Sequence, residues 1–360
     1  MAEPYKGLAD IRCPDVAPTD VDRRNSLSIV IPTAGAADLD ACLESLERDS
    51  ETAADVIVVD NASPRPLAYL SERHARVQIV RNDENLGFVG ACNEGAEMST
   101  GELVLFLNDD TVVEVGALGA LVDALVEHPA WGACQAKLLL MDDPSRLDTA
   151  GSFLTATGFL VHRGSHEPET RYLRSDEVFA AKGAAFVVRR RALKEVGVFD
   201  ADFFAYFEDS DLCWRLWVAG WEVGFAADAR IRHRLGSTAS TVAPGVIQFH
   251  SFKNRICSVL KNSGGSRLAW MLPLHVGLCF GVAVWFRVQG RPELSTAVLR
   301  AIAWNGRNAR HTLRKRRVVQ RKRRVSDAEI WARISRPTSL RSLAGYARTT
   351  AGSTSESRVA

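Results

Sequence analysis

Leu103-Val104-Leu105-Phe106-Leu107-Asn108-Asp109-Asp110-Thr111 passes without a break from five apolar residues into an amide and two carboxylates. A short apolar run bounded by turn formers has the length of a buried strand, so the polar group stands where that strand ends. Upstream the pattern recurs three times. Leu27 to Ile31 (LSIVI) stops at Pro32 and enters Thr33-Ala34-Gly35, Asp55 to Asp60 (DVIVVD) enters Asn61-Ala62-Ser63, and Val77 to Val80 (VQIV) leads into Asn82-Asp83-Glu84-Asn85-Leu86-Gly87. Helical spacing lies between: Leu39, Cys42, Leu43 and Leu46 share a face after Asp38, and Phe88 to Met98 and Ala117 to Glu127 are amphipathic. Alternation of this kind predicts an α/β fold, a Rossmann-like, mostly parallel sheet with helices on both faces. Ligands bind such sheets beyond the carboxyl ends of the strands, where all four polar loops fall.

The chain has 360 residues, 46% hydrophobic and 24% charged, which supports a sizeable core and excludes disorder as its general state. Its formal charge of +2 conceals an asymmetry: from Arg230 to Ser326 there are 20 basic residues and one acid, Glu293, so the remainder carries a net −17. A basic region joined to an acidic body points to an anionic membrane surface or to nucleic acid. Seven scattered cysteines with no C-x-x-C pair read as buried thiols in a reducing compartment. The opening residues, MAEPYKGLADIRCPD, lack the apolar core of a secretory leader, so catalysis on the cytoplasmic side is expected.

Two acidic clusters carry candidate chemistry. Asn108-Asp109-Asp110 offers hard oxygen ligands suited to Mg²⁺ or Mn²⁺, ions that usually also take substrate phosphates into their shell. The same residues could simply open the helix beyond Val115, where acids favour the dipole. Phe207-Glu208-Asp209-Ser210-Asp211-Leu212-Cys213-Trp214-Arg215 is the second cluster. An ionised carboxylate there can take a proton from an attacking hydroxyl. Capping would explain Asp209 or Asp211 singly, and less readily a polar group set among Phe203, Phe204, Tyr206, Phe207, Trp214 and Trp217.

The motif order V-I-P-T, V-V-D-N-A-S, N-x-N-x-G-F, L-N-D-D-T and G-V-F-D-x-x-F-F-x-Y-x-E-D-x-D-x-x-W-R resembles glycosyltransferase family 2, and within it the rhamnosyltransferase-like bacterial enzymes. The resemblance runs from about Leu27 to Ser240. It implies a GT-A fold, an NDP-sugar donor, with dTDP- or UDP-sugars favoured, and inversion at the anomeric carbon. On these positions it assigns Pro32 and Thr33 to the nucleotide pocket, Asp60 with Asn61 to the base or ribose, and Asn85, Gly87 and Phe88, with Asn93 on the next helix, to the loop flanking the nucleoside. Asn108-x-Asp110 matches the D-x-D metal motif with its first acid replaced, which places Mg²⁺ or Mn²⁺ chiefly on Asp110, with Asn108 and Asp109 beside the donor. Asp209, paired with Glu208, matches the catalytic base, and His233 a position that often adds a metal or diphosphate contact. A lone histidine is also often structural. Two departures stand out: Ala34-Gly35 replaces a polar pair, which bears on donor-base preference, and Lys182-Gly183-Ala184 only partly keeps the small residues of the acceptor side.

The division expected is a lead-in over 1–26, a catalytic domain over 27–240, a basic and apolar helical region over 241–335, and a disordered tail over 336–360. Within the third part, Leu268 to Phe286 is uncharged and flanked by Arg267 and Arg287. As a helix it would measure about 28 Å, near the hydrocarbon thickness. Pro273, His275 and two internal glycines favour an in-plane or core helix over a span. Arg314-Lys315-Arg316-Arg317 and Arg321-Lys322-Arg323-Arg324 read as attraction to anionic lipid head groups, with a solvated helix face as the plain alternative. Nothing else resembles a nucleic-acid module, so that partner is disfavoured. A glycan or polyprenyl-linked acceptor in cell-wall or polysaccharide synthesis, met at the inner face of the plasma membrane, follows from the resemblance and the charge pattern together. The alternatives are a sugar nucleotidyltransferase of similar fold, against which stands the absence of a basic residue in Pro32-Thr33-Ala34-Gly35, and a non-catalytic membrane- or nucleic-acid-binding protein.

Overall fold

The computed structural model describes residues 27–35, 37–49, 54–236 and 242–336. The lead-in expected over 1–26 and the tail beyond residue 336 lie outside the described residues. β1 (Leu27–Thr33), α1 (Leu39–Arg48), β2 (Ala54–Asn61), α2 (Leu70–Arg73), β3 (Val77–Asn82), α3 (Gly87–Met98) and β4 (Leu103–Leu107) alternate as the sequence pattern predicts. Their strands are parallel, in the order β4-β1-β2-β3. Ile29, Val30, Ile31 and Val56 to Val59 are buried, which is why these strands read as continuous apolar runs and not as alternation. Register places Thr33 opposite Asp60 and Asn61 opposite Asn82, so the polar loops leave from one edge. Gly95 lets α3 close on that sheet, since a Cβ there would stand 2.3 Å from Val30.

Beyond β4 come β5 (Thr111–Val113), α4 (Ala117–Glu127), β6 (Trp131–Leu140), β7 (Leu147–Thr149), the hairpin β8 (Ser152–Thr155) and β9 (Leu160–His162), β10 (Asp176–Glu177) and β11 (Ala185–Arg189). After them follow α5 (Arg190–Val196), α6 (Glu208–Val218) and β12 (Glu222–His233). This half adds antiparallel strands to the parallel sheet. β11 inserts antiparallel between β4 and β6, and β12 runs parallel to β6 but antiparallel to β5 and β10. Parallel pairing needs a crossover that returns the chain to the far edge. Lys182-Gly183-Ala184 instead enters β11 from the loop edge, so both of its neighbours run the other way. The sheet is therefore mixed.

Of the C-terminal helices α7 (Pro244–Asn262), α8 (Gly265–Val288), α9 (Pro292–Arg307), α10 (Ala309–Arg321) and α11 (Asp327–Ile334), all but α9 share the core of the sheet domain, and α9 packs on α7 and α8 in a separate apolar cluster. Cys257, Val259, Met271, Val319, Ile330 and Trp331 join the same apolar cluster as Phe179, Trp214 and Trp217. Much of the basic charge is turned inward, which corrects the reading of both blocks as lipid-facing. Lys315 is buried against Asp200 and Asp202, Arg316 donates to Leu260 O at 2.9 Å, Lys322 donates to Glu195 O, and Arg323 pairs with Asp327 at 2.9 Å. Arg314, Arg317 and Arg321 are exposed.

α8 is the one helix, among the described residues, long and apolar enough to cross a membrane. One of its faces, Met271, His275, Cys279, Ala283 and Phe286, is buried, and His275 Nδ1 lies 2.7 Å from Thr157 O of the sheet domain. The other face leaves Trp270, Leu274, Phe280 and Val284 exposed.

Candidate active site

The four strand-end loops form the floor of the site, and most of their predicted residues act on each other. Thr33 Oγ1 accepts from Gly35 N at 3.0 Å, and Pro32 is buried within β1 opposite Val59. Asp60 accepts from Ser63 N at 2.8 Å and from Arg81. Burial would raise its carboxyl, but the Ser63 and Arg81 hydrogen bonds outweigh that and hold it below the ordinary range. The group it presents outward is Arg81, 40% exposed.

Asn61 and Asn85 shape backbone. Asn61 Nδ2 donates to Asn85 Oδ1 at 2.9 Å and to Gly87 O at 3.1 Å, while its Oδ1 accepts from Leu86 N at 2.9 Å. Asn85 Oδ1 also takes Gly87 N at 2.8 Å. These bonds hold Gly87 at a φ of 74°, and a Cβ there would lie 2.4 Å from Phe204 O. Glycine is required on both counts. Asn93, expected at the nucleoside, is spent elsewhere: its amide donates to Phe199 O at 3.1 Å and accepts from Phe199 N at 3.0 Å. It clamps α3 to the segment leading into the second acidic cluster.

That cluster opens α6. Tyr206 and Phe207 both take left-handed backbone, φ 70° and 71°, a strain of about 1–3 kcal/mol each that surrounding contacts must hold. α7 supplies them: Asn254 Nδ2 donates to Ala205 O at 2.9 Å and Tyr206 O at 2.6 Å, and Lys253 Nζ to Asp202 O at 2.6 Å. Asp209 Oδ2 accepts from Gly183 N at 2.7 Å, and its Oδ1 from Ser210 Oγ at 3.0 Å. Burial raises the Asp209 carboxyl, and these donors oppose the rise. Glu208 is pushed well above the carboxylate range by burial and then by the charge of Asp209. Its Oε2 is buried with no hydrogen-bond partner among the described residues. Burial and mutual repulsion thus disfavour two charges on the pair, and the donors that oppose the rise are at Asp209. Asp211, two residues on, turns away from the edge to Arg215, Lys261, Ser258 and Asn262.

The β4 edge is joined to Asp209 through one short segment. Asn108 N donates to Ala184 O at 2.9 Å, so Gly183, which holds Asp209, lies beside Asn108-Asp109-Asp110. The Asp109 carboxyl is pushed up to about 6 by burial, despite a hydrogen bond with Thr33. Pairing of β5 with β12 sets His233 opposite Thr111, and His233 Nε2 stands 3.5 Å from Asp110 Oδ1. The predicted partners Asp110 and His233 are therefore brought together. Neither Asp148 nor Lys182 was singled out as a site residue from sequence. His233 Nδ1 lies 2.8 Å from Asp148 Oδ2, and Lys182 Nζ 2.8 Å and 2.7 Å from the two Asp148 oxygens. Asp148 stands alone in a three-residue strand and leaves no periodic signal, whereas Lys182 adjoins a glycine already singled out.

Do these residues suit a divalent ion? Among the described residues no group of three or more His, Cys, Asp or Glu is placed to hold one unaided. Asp110 and His233 are a two-ligand set, and Asn108 Oδ1 is buried there with no hydrogen-bond partner among the described residues. A partial oxygen-rich shell completed by donor phosphates is how Mg²⁺ and Mn²⁺ are commonly held, and one imidazole is compatible with Mn²⁺. The residues fit on that condition.

Asp209 and the D-x-D-like Asn108-Asp109-Asp110 loop, brought to one edge of the sheet, belong to a glycosyltransferase of the GT-A fold. Residues 28–197 match the model of glycosyl transferase family 2, and the chain carries a domain of that family. It is similar to the N-acetylglucosaminyl-diphospho-decaprenol L-rhamnosyltransferase of Mycobacterium tuberculosis, 26% identical over 71% of this chain and 90% of the relative. Solved structures of like fold include the mannosyltransferase PcManGT of Pyrobaculum calidifontis in complex with GDP-Man and Mn²⁺, with a TM-score of 0.51, 16% identity and coverage of 81% of this chain and 89% of that one. Another is S. aureus TarS 1-349 in complex with UDP-GlcNAc, with a TM-score of 0.52, 14% identity and coverage of 82% and 90%.

Proposed function

We propose that this enzyme transfers a sugar, with rhamnose the leading candidate, from an NDP-sugar to a hydroxyl of a lipid-linked glycan, with inversion, in cell-wall or polysaccharide synthesis. The observation that carries the reading is the Gly183 N–H to Asp209 bond of 2.7 Å, which fixes that carboxyl group beside the Asn108-Asp109-Asp110 loop. Asp209 accepts the proton of the acceptor hydroxyl as that oxygen attacks the anomeric carbon opposite the departing diphosphate, so a single displacement inverts the centre. Burial and then the charge of Asp209 push the Glu208 carboxyl well above its ordinary range, which disfavours a second negative charge beside the incoming donor. Asp110 and His233, with Asn108 beside them, would hold Mg²⁺ or Mn²⁺, which supplies positive charge for the leaving diphosphate. The M. tuberculosis relative's name supports the acceptor class and the choice among dTDP- and UDP-sugars as first donors to try.

Attachment to the inner face of the plasma membrane is part of the same reading. The exposed Trp270, Leu274, Phe280 and Val284 face of α8 and the outward Arg314, Arg317 and Arg321 support an in-plane contact with anionic lipid. The test is nucleotide release by purified protein with Mn²⁺ or Mg²⁺, a panel of dTDP-, UDP- and GDP-sugars, and a polyprenyl-diphosphate GlcNAc acceptor. Release with one donor that depends on acceptor supports the proposal; no acceptor-dependent release with any donor refutes it.

A further inference from the structure

Between the metal motif and the base lies a buried chain of contacts that the proposed reaction does not itself use. Asp148 is 4% exposed and His233 5%, and neither touches bulk solvent enough to be placed there by solubility. Lys182 Nζ sits within 2.8 Å of both Asp148 oxygens, so Asp148 is a carboxylate with only acceptors to offer. The His233 Nδ1 at 2.8 Å from it must then carry a hydrogen and donate. In the neutral ring this leaves the Nε2 lone pair facing Asp110 Oδ1 at 3.5 Å, too far for a good direct bond but near enough for both atoms to reach one cation. Lys182 is fixed in turn, because its own N–H donates to the buried Gln135 Oε1 at 2.7 Å. The next residue, Gly183, gives its N–H to Asp209.

From this geometry we infer that Asp148, anchored by Lys182, is a positioning residue that sets the His233 tautomer and aims Nε2 at the ion shared with Asp110, and that the 182–183 segment ties this aim to the seat of Asp209. The inference rests on the metal reading given above. A carboxylate behind a ligating histidine typically changes metal affinity about 10–100-fold.

The test uses the full chain without donor. Mn²⁺ binding is followed by electron paramagnetic resonance for wild type, Asp148→Asn and His233→Gln, and the histidine tautomers are read from long-range ¹H–¹⁵N spectra recorded without metal. The expected result is about 10–100-fold weaker Mn²⁺ binding in Asp148→Asn at unchanged fold, with His233 losing its preference for the Nδ1–H form. Wild-type affinity together with an unchanged His233 tautomer in that variant overturns the inference. Wild-type affinity in His233→Gln would refute the metal reading instead, and the metal-free tautomer spectrum of Asp148→Asn then still decides whether Asp148 positions the ring. Should Asp148→Asn fail to fold, Lys182→Gln, at a side chain 25% exposed, is expected to show the same tautomer change to a smaller degree, and no change would overturn the inference.

Discussion

Replacing Lys315 with Met tests whether the basic C-terminal helices are structural parts of the catalytic domain. Lys315 Nζ contacts Asp200, and Asp202 Oδ2 at 2.6 Å, while Lys261 Nζ bonds Asp200 Oδ2 at 2.5 Å and Asp211 Oδ2 at 2.9 Å. Lys315, Lys261, Asp200 and Asp211 are each no more than 2% exposed, so water cannot replace a lost partner. Breaking a buried pair by removing one ion costs about 3–5 kcal/mol. Lys261 still faces Asp200 in the variant, so the lower end, about 3 kcal/mol, is expected, or a fall in Tm of about 4 °C for a chain of this size. The pH dependence carries a second signature. Burial would raise the Asp200 carboxyl, but Lys261 and Lys315 hold it well below the ordinary range. A depressed carboxyl contributes stability above its unfolded value of about 4, and that stability is lost as pH falls through the folded value. With Lys315 gone the folded value rises toward the unfolded one, so the pH-dependent part of the stability becomes smaller and is fully lost at a higher pH, while its onset near the unfolded value of about 4 stays in place. Calorimetry of Lys315→Met and of Arg314→Gln, an exposed neighbour, between about pH 2 and pH 8 reads both effects. A Tm for Lys315→Met within about 1 °C of the Arg314→Gln value at neutral pH would refute the reasoning, and would return Lys315 to the class of surface charges.

Four further outcomes follow from the site and the surface. Asp209→Asn is expected to abolish transfer while leaving nucleotide-sugar binding, measured by calorimetric titration, within a few-fold of wild type; normal turnover would remove Asp209 as base. Because burial raises the Asp209 carboxyl, the acid limb of kcat/KM should lie above the ordinary aspartate value of about 4, and a limb at or below that value would contradict the burial seen here. Gly87→Ala forces a Cβ to 2.4 Å from Phe204 O at a left-handed φ, so both Tm and turnover should fall, by about 1–3 kcal/mol in stability, and an unchanged Tm would show that the loop yields freely. Phe280→Glu, on the exposed face of α8, should reduce sedimentation with phosphatidylglycerol vesicles without lowering Tm, whereas equal sedimentation would argue against an in-plane helix.

The parallel half of the sheet and its loop edge were legible because β1, β2 and β4 are buried on both faces and every strand, the partly exposed β3 included, ends in turn chemistry. Ile29 to Ile31, Val56 to Val59 and Leu103 to Leu107 cannot be mistaken once Pro32, Asn61 and Asn108 punctuate them. The antiparallel insertion of β11 was not legible, since Ala185–Arg189 has the same apolar texture whichever way it runs, and its direction is set by where the chain enters. At the site, residue type announced the carboxylates but not their division of labour. Asn61, Asn85 and Asn93 look like ligand-binding amides in sequence, yet each is taken up by backbone groups that only the folded chain brings near.

Charge shows the same limit in its sharpest form. Lys315 and Arg314 are neighbours of similar charge, and no windowed count can separate them. One turn of helix geometry does: α10 presents Lys315 to Asp200 and leaves Arg314 in solvent. The surplus of basic residues after Arg230 therefore has two destinations. Lys261 and Lys315 neutralise Asp200, Asp202 and Asp211 at the root of α6, and thereby let a helix that begins with Glu208 and Asp209 pack against the core without unpaired charge behind it. Only what remains outward is available to lipid. A net charge near zero thus reflects a requirement of the acidic site: carboxylates gathered at one helix start need buried cations behind them, and in this chain those cations come from a region that sequence alone assigns to the membrane.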